Sequence, residues 1–390
     1  MAEEVKNESK PSYQEIEARR KERIAEITGQ IEEGCRGILN SESFRTYMQT
    51  MAKFHRYSYR NSLLIFLQKP DSTIVASYSD WKKKFGRQVN KGEKGIRIIA
   101  PAPYKTTREV DRLDPSTGQA LMGSDGKPLK ETKEITIPRF KAVSVFDYSQ
   151  TSGRPLPTLG IKELQASVEN YDLFLKAIRN IAPVPIRFAD IEGGAKGYYD
   201  RANKEIVIQG GMPELQTLKT CCHELVHSVL HDDRSKMLTP DGNPKDKGII
   251  ETEAEGCALV CLTHFGFEDV GDYSFPYLVS YASSPDLKEL HASLATIQET
   301  SSMIINDLEA EMLQLTVERS EQNKSYVEPG KDKPDMAADK APVQVVSSPT
   351  VGKRESLLQG LRDKRDMVNR ESGIGKGGKA IESKKEEQAI

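Results

Sequence analysis

The stretch CCHELVHSVLH, residues 221–231, places three of the chain's six histidines at four-residue intervals, with Glu224 directly after the first. On an α-helix, residues four apart share one face at about 5–6 Å, so His223 and His227 can offer two imidazole nitrogens to a single ion. Glu224 then leans over the same position without joining the ligand set. Leu215, Leu218, Cys222, Val226, Val229 and Leu230 form an apolar stripe, which seats such a helix in a core while its polar face lines a cleft. H-E-x-x-H is the arrangement of zinc peptidases, and it arises by chance in roughly one in a hundred chains of this histidine content. The competing reading is an ordinary helix whose histidines are solvated or satisfied within the core.

A catalytic zinc takes three protein ligands and keeps one position open. The segment GIIETEAEGCALVCLTHFG, residues 248–266, is the natural source of the third. Ile249, Ile250, Ala254, Ala258, Leu259 and Leu262 give it a helical apolar stripe, and Glu251, Glu253 and Glu255 crowd its start. Glu251 and Glu255 share a face, while Glu253 points elsewhere. Glu251 is assigned as the metal ligand and Glu255 as the acceptor that orients a ligand histidine, roles that the spacing leaves exchangeable. Charge placed at a helix N-terminus explains three glutamates equally well in isolation, but carboxylates facing a core repel one another unless a cation lies between them. With one Zn2+ bound, Glu224 is the expected general base, taking a proton from the water that attacks a peptide carbonyl and passing it to the leaving amine. Tyr198, Tyr199, His231 and His264 are available as further donors, each more simply explained as structural. His231 lies too far along the helix to reach the same ion, and is expected to line the cleft or meet an acidic neighbour such as Asp232.

HELVH followed by ETEAEGCA resembles the ImmA/IrrE group of zincin metallopeptidases, in which the helix after the active-site helix carries the glutamate ligand. GYYDRANKEIVIQ, residues 197–209, is similar to the edge-strand hairpin of that fold. The resemblance runs over roughly residues 160–312 and includes DYSFPYLVSYA, residues 272–282. It implies a zincin fold and a metallopeptidase activity.

Between Met51 and Lys105 stand twelve lysines and arginines against Asp71, Asp80 and Glu93, a local charge of +9 in a chain whose net charge is −2. Such asymmetry points to a polyanion. Phe54, Tyr57, Tyr59, Phe66, Tyr78, Trp81, Phe85 and Tyr104 are interleaved with the cations, and aromatics beside cations suit single strands, where each stacked base contributes about 1–3 kcal/mol. The bland alternative is a small α+β domain whose aromatics fill its core and whose lysines are solvated. YSYRNSLLIFLQKPDSTIVASYSDWKKKFGRQVNKGEKGIRIIAP, residues 57–101, resembles the N-terminal domain of ArdC-type antirestriction proteins through its Asn61 segment, its Tyr78–Trp81 segment and the turn GRQVNKGEKGI. The resemblance implies a single-stranded DNA-binding domain joined, in this order, to a zincin domain. It also nominates Arg60, Asn61, Trp81, Arg87, Lys91 and Lys94 for strand contact, although Asn61 and Trp81 can equally be structural.

The expected architecture is α+β: an ArdC-like single-stranded DNA-binding domain over 12–150, a zincin-like metallopeptidase domain over 160–312, and a mostly disordered charged tail over 318–390. The proline- and glycine-rich SGRPLPTLG, residues 152–160, marks the boundary. Helical periodicity covers 13–50, residues 108–134 form a turn-rich insertion, and 136–151 resumes as a strand. An amphipathic helix over 161–181, a hairpin over 197–210 and a helix opening at Pro213 follow. A short helix near Leu357–Val368 is the one exception within the tail. At 390 residues, 37% hydrophobic and 29% charged, the composition is that of a soluble globular protein. Apolar runs such as Leu63–Leu67 are far below the roughly 18 residues of a spanning helix. With a charged N-terminus and five sparse cysteines expected to stay reduced as core thiols, the expected location is the cytoplasm, with no membrane partner. The expected role is protection of incoming single-stranded DNA on behalf of a mobile element, accompanied by cleavage of a protein substrate whose identity the sequence does not give. Two other functions fit the same residues: an ImmA-like protease of a repressor, and a non-enzymatic DNA-binding protein with a structural zinc.

Overall fold

Ser12 opens the first helix with a capping box, its hydroxyl accepting from Glu15 N while the Glu15 carboxylate accepts from Ser12 N. The computed structural model describes residues 12–156, 168–232, 237–267, 275, 278–281 and 287–325. The helical stretch expected over 13–50 is two helices, α1 (Tyr13–Gly37) and α2 (Ser41–Lys53). Asn40 breaks it by accepting from Ser43 N as the cap of α2. Ile27, Ile31 and Cys35 of α1 are buried, whereas Ile16 is exposed. Ser58 caps α3 (Tyr59–Gln68), and Ser77 caps the short α4 (Tyr78–Lys83) that follows β1 (Val75–Ser77).

Two further strands follow, β2 (Arg87–Val89) and β3 (Ile96–Pro101). The turn-rich insertion proves to be a long hairpin of β4 (Tyr104–Asp111) and β5 (Lys130–Ile137), paired from Tyr104↔Ile137 to Asp111↔Lys130. Neither face of this ribbon is buried, so its strands carry none of the apolar alternation that identifies a half-buried strand in sequence. After it, β6 (Phe140–Asp147) lies between β1 and β3 in an antiparallel sheet, and β7 (Thr151–Gly153) pairs with β2.

The second half begins with α5 (Val168–Ile181) and a three-stranded sheet of β8 (Ile186–Ala189), β9 (Gly197–Asp200) and β10 (Glu205–Gln209). In this sheet β10 is central, parallel to β8 and antiparallel to the edge strand β9. Four helices complete it: α6 (Glu214–Leu230), α7 (Lys247–His264), the single turn α8 (Leu278–Tyr281) and α9 (Lys288–Ser325). A Cβ at Gly197 would stand 2.6 Å from Thr220 Cγ2, so glycine there lets the edge strand lie directly against α6. A Cβ at Gly256 would stand 2.8 Å from Ile297 Cδ1, which marks a similarly close approach of α7 to α9.

The two halves share one core. It runs without a break from Ile27, Phe44 and Leu64 to Phe174, Leu225, Leu259 and Ile305, and α2 packs on α7 as α7 packs on α6 and α9. Phe44 of α2 meets Phe275 with ring centroids 4.7 Å apart, and the Tyr59 hydroxyl lies 3.0 Å from His291 Nδ1 of α9. His264 joins Ala52 O at 3.1 Å to Glu309 of α9 at 3.0 Å. A smaller cluster of Ala76, Trp81 and Val89 lies outside this core. All five cysteines are free and buried, as expected of core thiols. Cys257 and Cys261 face carbonyls of α9. Among the described residues no helix is long and apolar enough to cross a membrane. The last helix continues to Ser325, past the point where large apolar residues thin out. Residues 326–390, including the expected short helix, lie outside the described residues, as do residues 157–167 and most of DYSFPYLVSYA.

His55 follows α2 and is 6% exposed, its ring 4.6 Å from that of His264. Burial, reinforced by His264, holds its pKa down at about 4 against an ordinary 6.5. The unfolded chain therefore binds a proton that the folded chain refuses, so stability falls as pH drops from 6.5 towards 4. The urea midpoint should decline across that window in the wild type and less steeply in His55→Phe; equal slopes would refute the assignment.

Candidate metal centre and basic surface

Helix α6 carries His223 and His227 one turn apart, and α7 crosses it so that Glu251 faces both rings. His223 Nε2 and His227 Nε2 are 3.0 Å apart, and Glu251 Oε2 lies 3.4 Å from the first and 3.8 Å from the second. Ligands about 2.0–2.1 Å from a tetrahedral ion stand about 3.3 Å from each other, so the three observed edges bracket that of one ligand face. Among the described residues this is the one group of three metal-binding side chains whose donor atoms converge, all within 4.8 Å. Two imidazoles and a carboxylate suit a divalent ion such as zinc or manganese. All three side chains retain some solvent exposure.

Glu255 stands behind His223, its Oε2 3.5 Å from Nδ1 and its Oε1 3.8 Å from Lys219 Nζ. Glu255 thus faces the ring of His223 alone, whereas Glu251 faces both rings. Burial lowers the pKa of His223, but the carboxylates of Glu251 and Glu255 outweigh it and push the value up to about 10. The imidazole of His223, and then that of His227, beside its carboxyl holds Glu251 well below the usual carboxylate range. Without metal, His223 is therefore an imidazolium sharing protons with both glutamates. Glu224 is 8% exposed and raised by burial, although His223 and His227 pull it down and the Tyr199 N–H hydrogen bonds to it. This carboxylate stands next to the donor triangle but outside it, and burial makes it more basic than an ordinary glutamate.

His231 meets an acidic residue, though not Asp232. It is fully buried, and Asp232 instead pairs with Tyr199 and Lys204. Its Nδ1 lies 2.9 Å from His227 Nδ1 and its Nε2 lies 3.3 Å from Glu253 Oε2. Burial, opposed by Glu253, keeps its pKa below the ordinary value. Glu253 does point away from Glu251 and Glu255, but into the core, where it is fully buried and bonded to Lys245 and Ser293. Sequence reasoning left Glu253, Lys245 and Ser293 without roles. Their only local signal is that α7 is apolar almost all round, so a glutamate off the metal face has to be buried and paired. Tyr199 is tied to Asp232, His264 to Ala52 and Glu309, and Tyr198 is exposed on β9.

The six residues nominated for strand contact divide evenly. Trp81 is fully buried and donates its indole N–H to Phe146 O, so it offers no face to a base. Asn61 binds the β3 backbone through both ends of its amide, Nδ2 to Ile99 O and Oδ1 from Ile99 N. Arg87 is 6% exposed, donates to Thr151, Gly153 and Arg154, and stacks 4.1 Å over the Tyr148 ring. These three hold the scaffold. Arg60, Lys91 and Lys94 are exposed, and Lys82, Lys91 and Lys94 have no ion pair among the described residues.

A metal ion must displace the His223 proton, so its apparent affinity should rise with pH below about 10. Between pH 6.5 and 8 the expected slope is about tenfold per unit, with about one proton released per ion at neutral pH. Competition against a chromophoric chelator checks the slope, and a flat profile would contradict this charge state. His227→Ala should abolish stoichiometric binding.

Comparison with known proteins agrees with this division. The family model described as the N-terminal domain of anti-restriction factor ArdC matches residues 13–146, and that described as the IrrE N-terminal-like domain, of the peptidase M78 type, matches residues 181–269. An uncharacterized protein of Bacillus anthracis is 28% identical over 308 residues, covering 71% of this chain and 50% of its own length. The DNA primase TraC of Escherichia coli is 34% identical over 155 residues, which is 38% of this chain and 10% of the primase. The chain thus spans half or less of these curated relatives. Crystal structures of the antirestriction ArdC protein from the R388 plasmid, one metal-free and one Mn(II)-bound, share 21% and 19% identity. They cover 64% and 65% of this chain and 84% of theirs, at TM-scores of 0.38 and 0.37. The chain is thus similar, in succession, to the N-terminal domain of ArdC over residues 13–146 and to the IrrE-like domain of the peptidase M78 type over residues 181–269.

Proposed function

We propose that this chain is a single-stranded DNA-binding metallopeptidase of a mobile element that acts against host restriction. The observation that carries the enzymatic part is the convergence of His223, His227 and Glu251 beside a buried Glu224 that belongs to no ion pair among the described residues. A divalent ion held by those three residues supplies a Lewis acid that activates water and polarises a peptide carbonyl. Glu224 accepts the proton that water gives up and returns it to the leaving amine. Glu255 holds the His223 ring through Nδ1, and β9 offers the exposed edge nearest to Glu224, since the Tyr199 N–H reaches that carboxylate. A purely structural zinc is the second reading. It fits less well, because structural sites close with four protein ligands, whereas three donors with solvent access meet here.

The DNA-binding part rests on the matched ArdC-type domain and on the excess of exposed cations in the first half. Arg60, Lys91 and Lys94, joined by Lys82 and Lys83, are the proposed phosphate contacts. Stacking falls to exposed rings such as Tyr78, Phe85 and Tyr104 in place of Trp81. Protection of incoming DNA and cleavage of a restriction-linked or regulatory protein are then two outputs of one chain.

Glu224→Gln separates the readings. Cleavage of the protein substrate should fall by at least 10^2-fold, about the low end of what a positioned general base contributes, while metal content and DNA binding stay at wild-type levels; unchanged cleavage would remove the hydrolase mechanism. For DNA, the affinity for a labelled oligonucleotide should weaken steeply with salt. Lys91→Ala combined with Lys94→Ala should reduce the log–log slope by about 1.4, since each single-strand phosphate contact contributes about 0.7. A salt-independent signal would rule out the electrostatic surface.

A further inference from the structure

Behind the metal face lies a buried polar chain that the proposed hydrolysis does not use. From His227 Nδ1 it passes to His231 Nδ1 at 2.9 Å, from His231 Nε2 to Glu253 Oε2 at 3.3 Å, and from Glu253 to Lys245 Nζ at 2.7 and 2.8 Å. Ser293 Oγ of α9 donates to Glu253 Oε1 at 2.9 Å, and the Tyr281 hydroxyl of α8 donates to Ser293 Oγ at 3.0 Å. His231 and Glu253 are both 0% exposed.

The direction of every hydrogen bond in the chain follows from its far end. A carboxylate paired with an ammonium and a hydroxyl donor accepts only, so the hydrogen between His231 and Glu253 belongs to His231 Nε2. A neutral imidazole carries one N–H, which leaves His231 Nδ1 as a lone pair. The hydrogen between the two rings then belongs to His227 Nδ1. That in turn leaves His227 Nε2 as the lone pair, and Nε2 is the atom that faces His223 and Glu251.

We propose that His231 is a positioning residue which, anchored by Glu253 and Lys245, fixes His227 in the one tautomer and ring orientation able to bind metal through Nε2. The inference rests on the metal-centre reading of His223, His227 and Glu251. The two ligand histidines are held differently. His223 leans on the partly exposed Glu255 at 3.5 Å, whereas His227 is secured by a shorter contact to a ring with no solvent access. His227 is therefore the rigid half of the pair, and α8 and α9, remote in sequence, take part in holding the ion through Tyr281 and Ser293.

Two measurements on the full chain test this. In the zinc-loaded wild type, long-range 1H–15N correlation spectra of the histidine rings should give His227 as the Nδ1–H tautomer and His231 as the Nε2–H tautomer; an Nδ1–H form of His231 would overturn the proposal. The second compares His231→Phe, which removes both polar atoms, with His231→Gln, whose amide can accept from His227 and donate to Glu253. Outer partners of a metal ligand typically contribute about 10–100-fold in affinity, so zinc affinity should fall by about that factor in the phenylalanine variant and return to within about threefold in the glutamine variant. The Co2+ absorption spectrum should change only in the former. Wild-type affinity and spectrum in His231→Phe, with a retained thermal transition, would sink the relay. Failure of the underlying metal centre is distinct, because His227→Ala would then bind zinc as tightly as the wild type.

Discussion

Two imidazoles of α6 and a carboxylate of the largely buried α7 are held within 4 Å of one another. An uncompensated charge at such a place costs several kcal/mol, so each carboxylate on α7 needs a partner. Glu251 and Glu255 find theirs on α6, and Glu253 finds Lys245 and Ser293. The central position of α7 follows from these matches. It must touch α6 to satisfy one carboxylate set and α9 to satisfy the other, and the close approach at Gly256 brings α9 within reach.

The basic half obeys the same accounting of polar groups with the opposite sign. Arg87 spends its guanidinium on carbonyls around β7 and Asn61 spends its amide on β3. Charge and aromaticity in this segment therefore divide into a scaffold fraction and a solvent-facing fraction. The solvent-facing fraction is mainly lysine, a compact and strongly hydrated point charge, which suits sequence-independent contact with a phosphate backbone more than readout of particular bases.

How much of this could be seen in the sequence depended on distance along the chain. The histidine pair was legible because helical periodicity alone brings His223 to His227, and the Glu251–Glu255 face because a second helix is recognisable from its own stripe, which left those two glutamates interchangeable. The family resemblances named the two modules whose family models match, over residues 13–146 and 181–269. The relay through His231 was not legible: Glu253 is 22 residues away in sequence and Ser293 a further 40, and only packing makes them neighbours. Trp81 and Arg87 misled for a related reason. A buried tryptophan and a base-stacking one look alike in sequence, and so do a saturated arginine and a free one. The β4–β5 hairpin escaped because a ribbon with both faces wet has no apolar period to detect.

Helix α9 closes the core against α5 and α7 while also meeting the N-terminal helices, through His291 to Tyr59 and through Gln298 to His55 O. It is also among the last of the described segments to be made. At about 5–20 residues per second, roughly a quarter of a minute to a full minute separates synthesis of α2 from that of the helix that covers the same core. During that interval the apolar faces of the early helices lack their final cover, so the core cannot close until α9 has been made.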